Sequence, residues 1–363
     1  MVSIAVEEGA ARVAGASAEE VALLEGMLEI DSLSGQERPL AEFLCAAMEA
    51  RGMRAHIDAV GNAVGEMGTD GPLAVLLGHM DTAPGHVPVR REGDLLYGRG
   101  SVDAKGPLAA FVCAAARLGA HAGLRLAVIG AVEEESASSC GARHATTTHW
   151  PDYCIIGEPS RWDRVTLGYK GRLLVDYRMQ QGTVHSAAAH PTAAQRAVEF
   201  WNEVAALTRQ YGGSREFERL SPTLRSIHAE SDGLCDSAHL SLSLRLPPGC
   251  DTRELRVRLR ALAPDAEVHF AGDEPAHRAP KNTPLVRSFL SAIRARGGTP
   301  AFALKTGTSD MNIVGPVWNC PIAAYGPGDS SLDHTPDEHL SLAEYGDAIA
   351  VLQATLAGLT AGS

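Results

Sequence analysis

The chain has 363 residues, with 32 Lys+Arg against 44 Asp+Glu for a formal net charge of −12, and 45% of its residues are hydrophobic. That length exceeds the usual single-domain size and predicts two domains with a sizeable core. The acidic balance, without any large Lys/Arg cluster, excludes a phosphate-neutralising nucleic-acid protein. No run of about 18 apolar residues and no basic-flanked apolar N-terminal segment points to a membrane. The seven cysteines occur in no CxxC spacing and read as reduced thiols of a cytoplasmic protein, with Cys113, Cys140 and Cys154 filling core positions rather than serving as nucleophiles.

In chain order, the first dozen residues show no period and read as a loose leader. Ser17-Ala-Glu-Glu is a capping box that opens a helix through VALLEGMLEI. A second box, Ser34 with Glu37, is expected to open a helix through PLAEFLCAAMEARG, with Gly52 as its stop. MRAHIDAVGNAVGEMG alternates like a strand pair about a Gly-Asn turn. The apolar run from Leu73 to Leu77 then predicts a buried strand that delivers His79 and Asp81 on one face, and Asp103 follows in a Gly- and Ser-rich turn. His-x-Asp alone has two readings: a metal-ligating imidazole oriented by a carboxylate, or a solvated strand end.

GPLAAFVCAAARLGAHAG has helical spacing with Pro107 in its first turn, and LRLAVIGAV is a second apolar strand. Strand, helix and strand, with both strands apolar throughout, imply an α/β sheet covered on both faces. The second strand ends in Glu133, Glu134 and Glu135, adjacent carboxylates whose mutual repulsion a divalent cation would remove. DYCIIGEP gives a third strand, ending in Glu158. His79, Asp103, the Glu cluster and Glu158 thus all follow strand ends, where open α/β sheets bind ligands. Each alone reads equally as a solvated loop group, but their joint placement favours a His/Asp/Glu metal site.

From Leu167 to about Asp273, strand-like GRLLVDYRM, AHLSLSLRLPP and AEVHFAG alternate with helical AAQRAVEFWNEVAALTRQYG and DTRELRVRLRALA. This pattern predicts an inserted α+β unit with an antiparallel sheet, crossed near Gly168 and EPAHRAPKNTP. The last segment returns with the helix PLVRSFLSAIRARGG, then TGTSDMNIVG, the strand CPIAAYGPG, and DSSLDHTPDEHLSLAEY. His334 there is either a ligand or a surface histidine capping the final helix, AEYGDAIAVLQATLAGL.

SGQE, GHMDTAPG, GRGSVDAKG, the Glu cluster, GEP, RLPPG, TGTSDM and GPGDSSLDHTPDEH, in that order, resemble the M20 group of metal-dependent amidohydrolases. That group includes acetylornithine deacetylase, succinyl-diaminopimelate desuccinylase and glutamate carboxypeptidase. The resemblance implies a zinc-aminopeptidase-like α/β catalytic domain with a mostly parallel sheet at 1–167 and 276–363. An inserted α+β lid/dimerisation domain would occupy 168–275. It further implies two Zn²⁺ ions, replaceable by Co²⁺, that share Asp103. His79 and Glu158 would complete one site and Glu135 and His334 the other, with Glu134 as general base and Asp81 orienting His79. The family usually shows Asp-Glu-Glu where this chain has three glutamates, and a one-residue slip would move the base and ligand to Glu133 and Glu134.

His185 matches a histidine that family members lend to the partner subunit's active site, implying a homodimer or higher homo-oligomer. Arg245 matches a substrate-carboxylate position. Asp310 would shape the metal pocket or meet a substrate amine. GYKGRL, KTGTSDMN and YGPGDSSLDHTP are most similar to hydrolases that release lysine or ornithine from an acidic amino-group carrier protein. DGLCDSA, with Asp232 and Cys235, departs from the Asn-x-x-Pro-Asp pattern of small-acyl deacylases such as acetylornithine deacetylase, the alternative substrate class. A carrier of like charge would require a local basic patch. The intact set of ligand and base positions argues against a non-catalytic amino acid- or carrier-binding relative.

Overall fold

The computed structural model describes residues 15–120, 123–183 and 190–360. The expected leader lies outside them. The first part of the chain forms α1 (Ala18–Leu28), α2 (Arg38–Glu49), β1 (Arg54–Ile57), β2 (Ala63–Met67), β3 (Leu73–His79), β4 (Arg90–Glu92) and β5 (Leu95–Tyr97). Next come α3 (Lys105–Leu118), β6 (Arg125–Ala131), α4 (Cys140–Thr148), β7 (Tyr153–Ile156) and β8 (Arg164–Tyr169). The middle contributes β9 (Gly171–Gly182), α5 (Ala193–Thr208), β10 (Ser221–Ser231), β11 (Cys235–Leu246), α6 (Thr252–Ala261) and β12 (Glu267–Glu274). The chain then runs through β13 (His277–Arg278), α7 (Pro284–Ala295), β14 (Ala301–Lys305), α8 (Met311–Trp318), β15 (Ile322–Ala324), β16 (His339–Ser341) and α9 (Leu342–Thr360).

The main sheet has the order β1-β2-β6-β3-β7-β15-β8-β13, with β14 beside β8. Its centre, β6, β3, β7 and β15, is parallel, and antiparallel β1, β2 and β13 lie toward its edges. Apolar side chains leave both faces of the central strands. Leu76 and Val128 pack with Leu24, Leu44, Phe111, Phe289 and Leu352, while Val75 and Ile129 pack with Ala142, Met311 and Val314 on the other side. Full burial of one such Leu or Val contributes about 1.5–3 kcal/mol, so β3 is anchored well before it reaches His79.

A second, antiparallel sheet, β10-β11-β9-β12, has its own core against α5 and α6, built on Leu173, Val175, Phe200, Leu240 and Leu255. A third, small sheet has the order β16-β5-β4.

Local signals behave unevenly. Ser17 and Glu20 form the expected capping box, and Gly52 adopts φ +83° just beyond α2. Ser34 and Glu37 do not cap α2, which starts at Arg38 without a side-chain cap. Ser34 Oγ instead donates to Asp81 Oδ2 at 2.7 Å, and Glu37 Oε1 accepts the Glu133 N–H at 3.0 Å. Both residues serve the strand ends, a longer-range demand than the helix they precede. The edge strand β10 and the helices α4 and α8 go beyond the sequence reading. β10 is mostly exposed on both faces, so it has no period of two to detect, and α8 carries Pro316 inside it. Cys113 and Cys154 are buried as expected, and Cys140 is half-buried at the start of α4.

Candidate metal centre and active-site cleft

β3 ends at His79, whose side chain is buried. Its Nδ1 lies 2.9 Å from the Asp81 main-chain oxygen and 3.4 Å from Asp81 Oδ1. The fully buried Asp81 carboxylate accepts the N–H groups of Glu134 at 3.0 Å and Glu135 at 2.9 Å, besides the Ser34 hydroxyl. Asp81 thus ties the end of β3 to the loop after β6, as well as touching the imidazole.

The Glu cluster divides by direction. Glu133 has φ +60°, a left-handed conformation uncommon for a non-glycine residue and enriched at functional sites. Its side chain turns away to accept from Ser138. Glu135 Oε1 lies 2.8 Å from His334 Nε2, which is also 2.9 Å from Asp103 Oδ2. His334 too is left-handed, at φ +60°. Asp103 Oδ1 reaches His79 Nε2 at 3.3 Å, and Glu158 comes in from the end of β7. Two groups result, His79–Asp103–Glu158 and Asp103–Glu135–His334, each with its ligand atoms within 4.8 Å of one another and with Asp103 common to both. Glu134 belongs to neither.

Electrostatics mark the same cluster. Burial pushes the Glu134 carboxyl well above the usual range, His79 draws it back, and the negative charges of Glu158, Asp310 and Glu135 push it further. Glu158 is raised by burial and by the charge of Asp103, and burial lifts Asp310 to about 7. Burial would raise Asp103 as well, but His334 and His79 hold it well below the ordinary value. Bonds to Asp103 and Glu135 raise His334 to about 10. Buried acids this dense carry an uncompensated penalty that bound cations relieve. Two imidazoles, two carboxylates and a shared acid fit two divalent ions, as N/O donor sets for first-row metals do.

Asp103, Glu134, Glu135, Glu158 and His334 line a cleft of about 290 Å³ together with Tyr169, Arg172, Arg245, Lys305, Thr306, Thr308 and Asp333. A larger groove, about 760 Å³, lies on the second sheet, but both metal-capable groups among the described residues are in the smaller cleft. Arg245 sits opposite Arg172 on neighbouring strands, an arrangement of like charges that destabilises a sheet unless an anion intervenes. Glu274 neutralises Arg172, accepting from its Nε at 3.0 Å. Arg245 donates to the Thr308 hydroxyl at 2.9 Å. Burial and the neighbouring Arg172 lower its pKa.

Asp310, just before α8, is buried with Oδ1 unpartnered and stands close enough to Glu134 and Glu158 to act on both. His185 lies outside the described residues. Asp232, part of the departure from the deacylase pattern, closes the β10–β11 hairpin by accepting the N–H groups of Leu234 and Cys235 at 2.8 and 2.7 Å. Sequence reasoning passed over Arg172, Asp333 and Glu338. The last is fully buried and accepts the N–H groups of Val102 and Asp103 at 3.0 and 3.1 Å. Its only sequence signal is an acid four residues after His334.

Fold and donor set together define a hydrolase of the peptidase family M20/M25/M40, whose description matches residues 75–358, and the chain belongs to this metal-dependent family. It is 46% identical to LysW-lysine hydrolase of Deinococcus radiodurans, over 94% of this chain and 97% of that protein. It is 39% identical to a putative LysW-lysine/LysW-ornithine hydrolase of Thermococcus kodakarensis, over 93% and 91% of the two chains. The fold is shared with an M20 family metallo-carboxypeptidase from Sulfolobus solfataricus at a TM-score of 0.80 and 19% identity, covering 95% of this chain and 100% of the other.

Proposed function

We propose that this chain is a dinuclear zinc amide hydrolase that releases lysine or ornithine from an acidic amino-group carrier protein, the activity its relatives' names describe. The observation that carries the chemistry is the pair of donor groups joined at Asp103, with Glu134 half-buried beside them and outside both. On this reading His79 and Glu158 hold one ion, Glu135 and His334 the other, and Asp103 both. When bound, the ions supply Lewis acidity at the scissile carbonyl and lower the pKa of water toward neutrality, and Co²⁺ can substitute for Zn²⁺.

Glu134 takes the proton of the attacking water and delivers it to the leaving amine, a task for a carboxylate near the ligands but not among them. The direction of Glu135 toward His334, and of Glu133 toward Ser138, supports that register. Asp81 holds the Glu134–Glu135 backbone and the His79 ring in place. Asp310 shapes the pocket behind the base. Arg245 has no carboxylate within 4 Å among the described residues, which suits it to a carboxylate of the carrier's terminal glutamyl group.

The separate core of β9–β12 supports reading 168–275 as a lid and dimerisation domain inserted into a catalytic domain of 1–167 and 276–363. The working form on this reading is a cytoplasmic homodimer or higher homo-oligomer.

The test offers the purified protein carrier-linked lysine, carrier-linked ornithine and N-acetylornithine side by side. Release of lysine or ornithine from the carrier is expected, with little cleavage of the acetylated compound. Cleavage of N-acetylornithine alone would overturn the carrier reading.

A further inference from the structure

Once these roles are assigned and Arg172 is paired with Glu274, two charged side chains remain in the cleft. Lys305 ends β14, Asp333 immediately precedes His334, and both line the cavity. The Lys305 ammonium donates to the Ser330 hydroxyl, a neutral acceptor. Among charged groups, Asp333 acts on it most strongly, yet the two form no ion pair within 4 Å among the described residues. Asp333 Oδ1 is buried without a hydrogen-bond partner. Buried carboxylate oxygens are nearly always hydrogen-bonded, because leaving one unsatisfied in a low dielectric is costly. Here an amine bonded to a neutral hydroxyl and a carboxyl group with an unbonded oxygen line the same cleft.

We propose that Lys305 and Asp333 form a two-charge subsite for the leaving amino acid, the Lys305 ammonium taking its α-carboxylate and the Asp333 carboxylate taking its side-chain ammonium. The inference rests on the function proposed above, because a basic amino acid departing through its α-nitrogen carries those two opposite charges at its ends. The other charged groups in the cleft are already occupied. Asp103, Glu135 and Glu158 serve as ligands in that reading, and Glu134 carries the proton. Arg172 is paired with Glu274, and Arg245 is assigned above to the carrier's glutamyl carboxylate. The hydroxyls of Ser330 and Thr306 complete a polar wall that suits a zwitterion better than an apolar side chain.

The test compares three carrier conjugates: lysine, norleucine, which has no side-chain ammonium, and lysinamide, which has no α-carboxylate. Wild-type protein should favour lysine over each analogue by about 10- to 100-fold in kcat/KM, the scale of one charge-assisted hydrogen bond. Asp333→Asn should collapse the lysine-to-norleucine ratio toward one, and Lys305→Met should collapse the lysine-to-lysinamide ratio, each with wild-type metal content. Free lysine should inhibit wild-type protein more strongly than free norleucine does, and Asp333→Asn should erase that difference. Equal losses on lysine and norleucine in Asp333→Asn would overturn the subsite and leave Asp333 as a support for His334. So would a wild-type protein that cleaves all three conjugates equally, a comparison that needs no variant. A wild-type protein inert on every carrier conjugate but active on N-acetylornithine would instead overturn the functional reading, and the subsite with it.

Discussion

Glu338 offers the sharpest test of how the shared acid is held. Its Oε1 accepts the N–H groups of Val102 and Asp103, and its Oε2 accepts from Arg99 at 2.7 Å. The Glu338 side chain is wholly buried, and that of Arg99 is 12% exposed. Glu338→Ala therefore leaves the nearly buried Arg99 guanidinium with its bond to the Gly85 carbonyl but no counter-charge, and strands two main-chain donors. Removing one partner of a buried pair costs about 3–5 kcal/mol, and the stranded N–H groups fall largely within that figure. Glu338→Gln keeps one carbonyl oxygen for the N–H groups but turns an amide toward Arg99, so its loss should be smaller, about 1.5–3 kcal/mol.

Urea unfolding at neutral pH measures both losses. Metal content should fall with them, because the Asp103 backbone is what Glu338 holds. A Glu338→Ala protein within about 1 kcal/mol of wild type, with full metal content, would show that the Asp103 turn positions itself and refute the reasoning.

Arg117 donates to both Glu20 oxygens, at 2.6 and 2.7 Å. Burial alone would raise the Glu20 carboxyl, but the Arg117 and Ser17 bonds hold it below its ordinary 4.5. Because the folded pKa is depressed, this pair stabilises the fold above pH 4.5 and loses its effect as pH falls through the folded value. Glu20→Gln should therefore be less stable than wild type by about 1.5–3 kcal/mol at pH 7, with the gap closing below pH 4.5; a gap that widens there would reverse the sign. A Cβ at Gly141 would stand 2.4 Å from Asn62 Oδ1 and 2.5 Å from Val132 N, atoms that lead into the Glu cluster. Gly141→Ala should cost about 1–3 kcal/mol of stability and lower kcat, and wild-type values of both in unfolding and rate assays would contradict that packing. Arg245→Ala should raise KM for carrier-linked lysine about tenfold or more, and an unchanged KM would remove Arg245 from substrate binding.

The apolar run before His79 fixes a buried parallel strand by composition alone, and the strands before the Glu cluster and Glu158 are legible for the same reason. Their parallel pairing then brings their ends together, which is why acids scattered along the chain lie within one cluster. What stayed hidden depends on distant partners. Ser34 and Glu37 look like a local cap, but they reach across the molecule to Asp81 and Glu133. The direction of each glutamate in the cluster depends on the left-handed Glu133 and on Asp81, and no periodicity encodes either. Arg172 and Arg245 become neighbours through strand register within the second sheet, and Asp333 gains meaning from the cavity it lines. β10 carries no alternation because an exposed edge strand buries neither face.

A dinuclear centre served by a separate base is tested most directly by pairing metal content with turnover in wild-type protein and Glu134→Gln. About two metal ions per subunit are expected in both, with turnover of carrier-linked lysine in the variant lower by about 10²- to 10⁴-fold. A metal-free preparation with full activity, or a Glu134→Gln protein that turns over normally, would contradict the account.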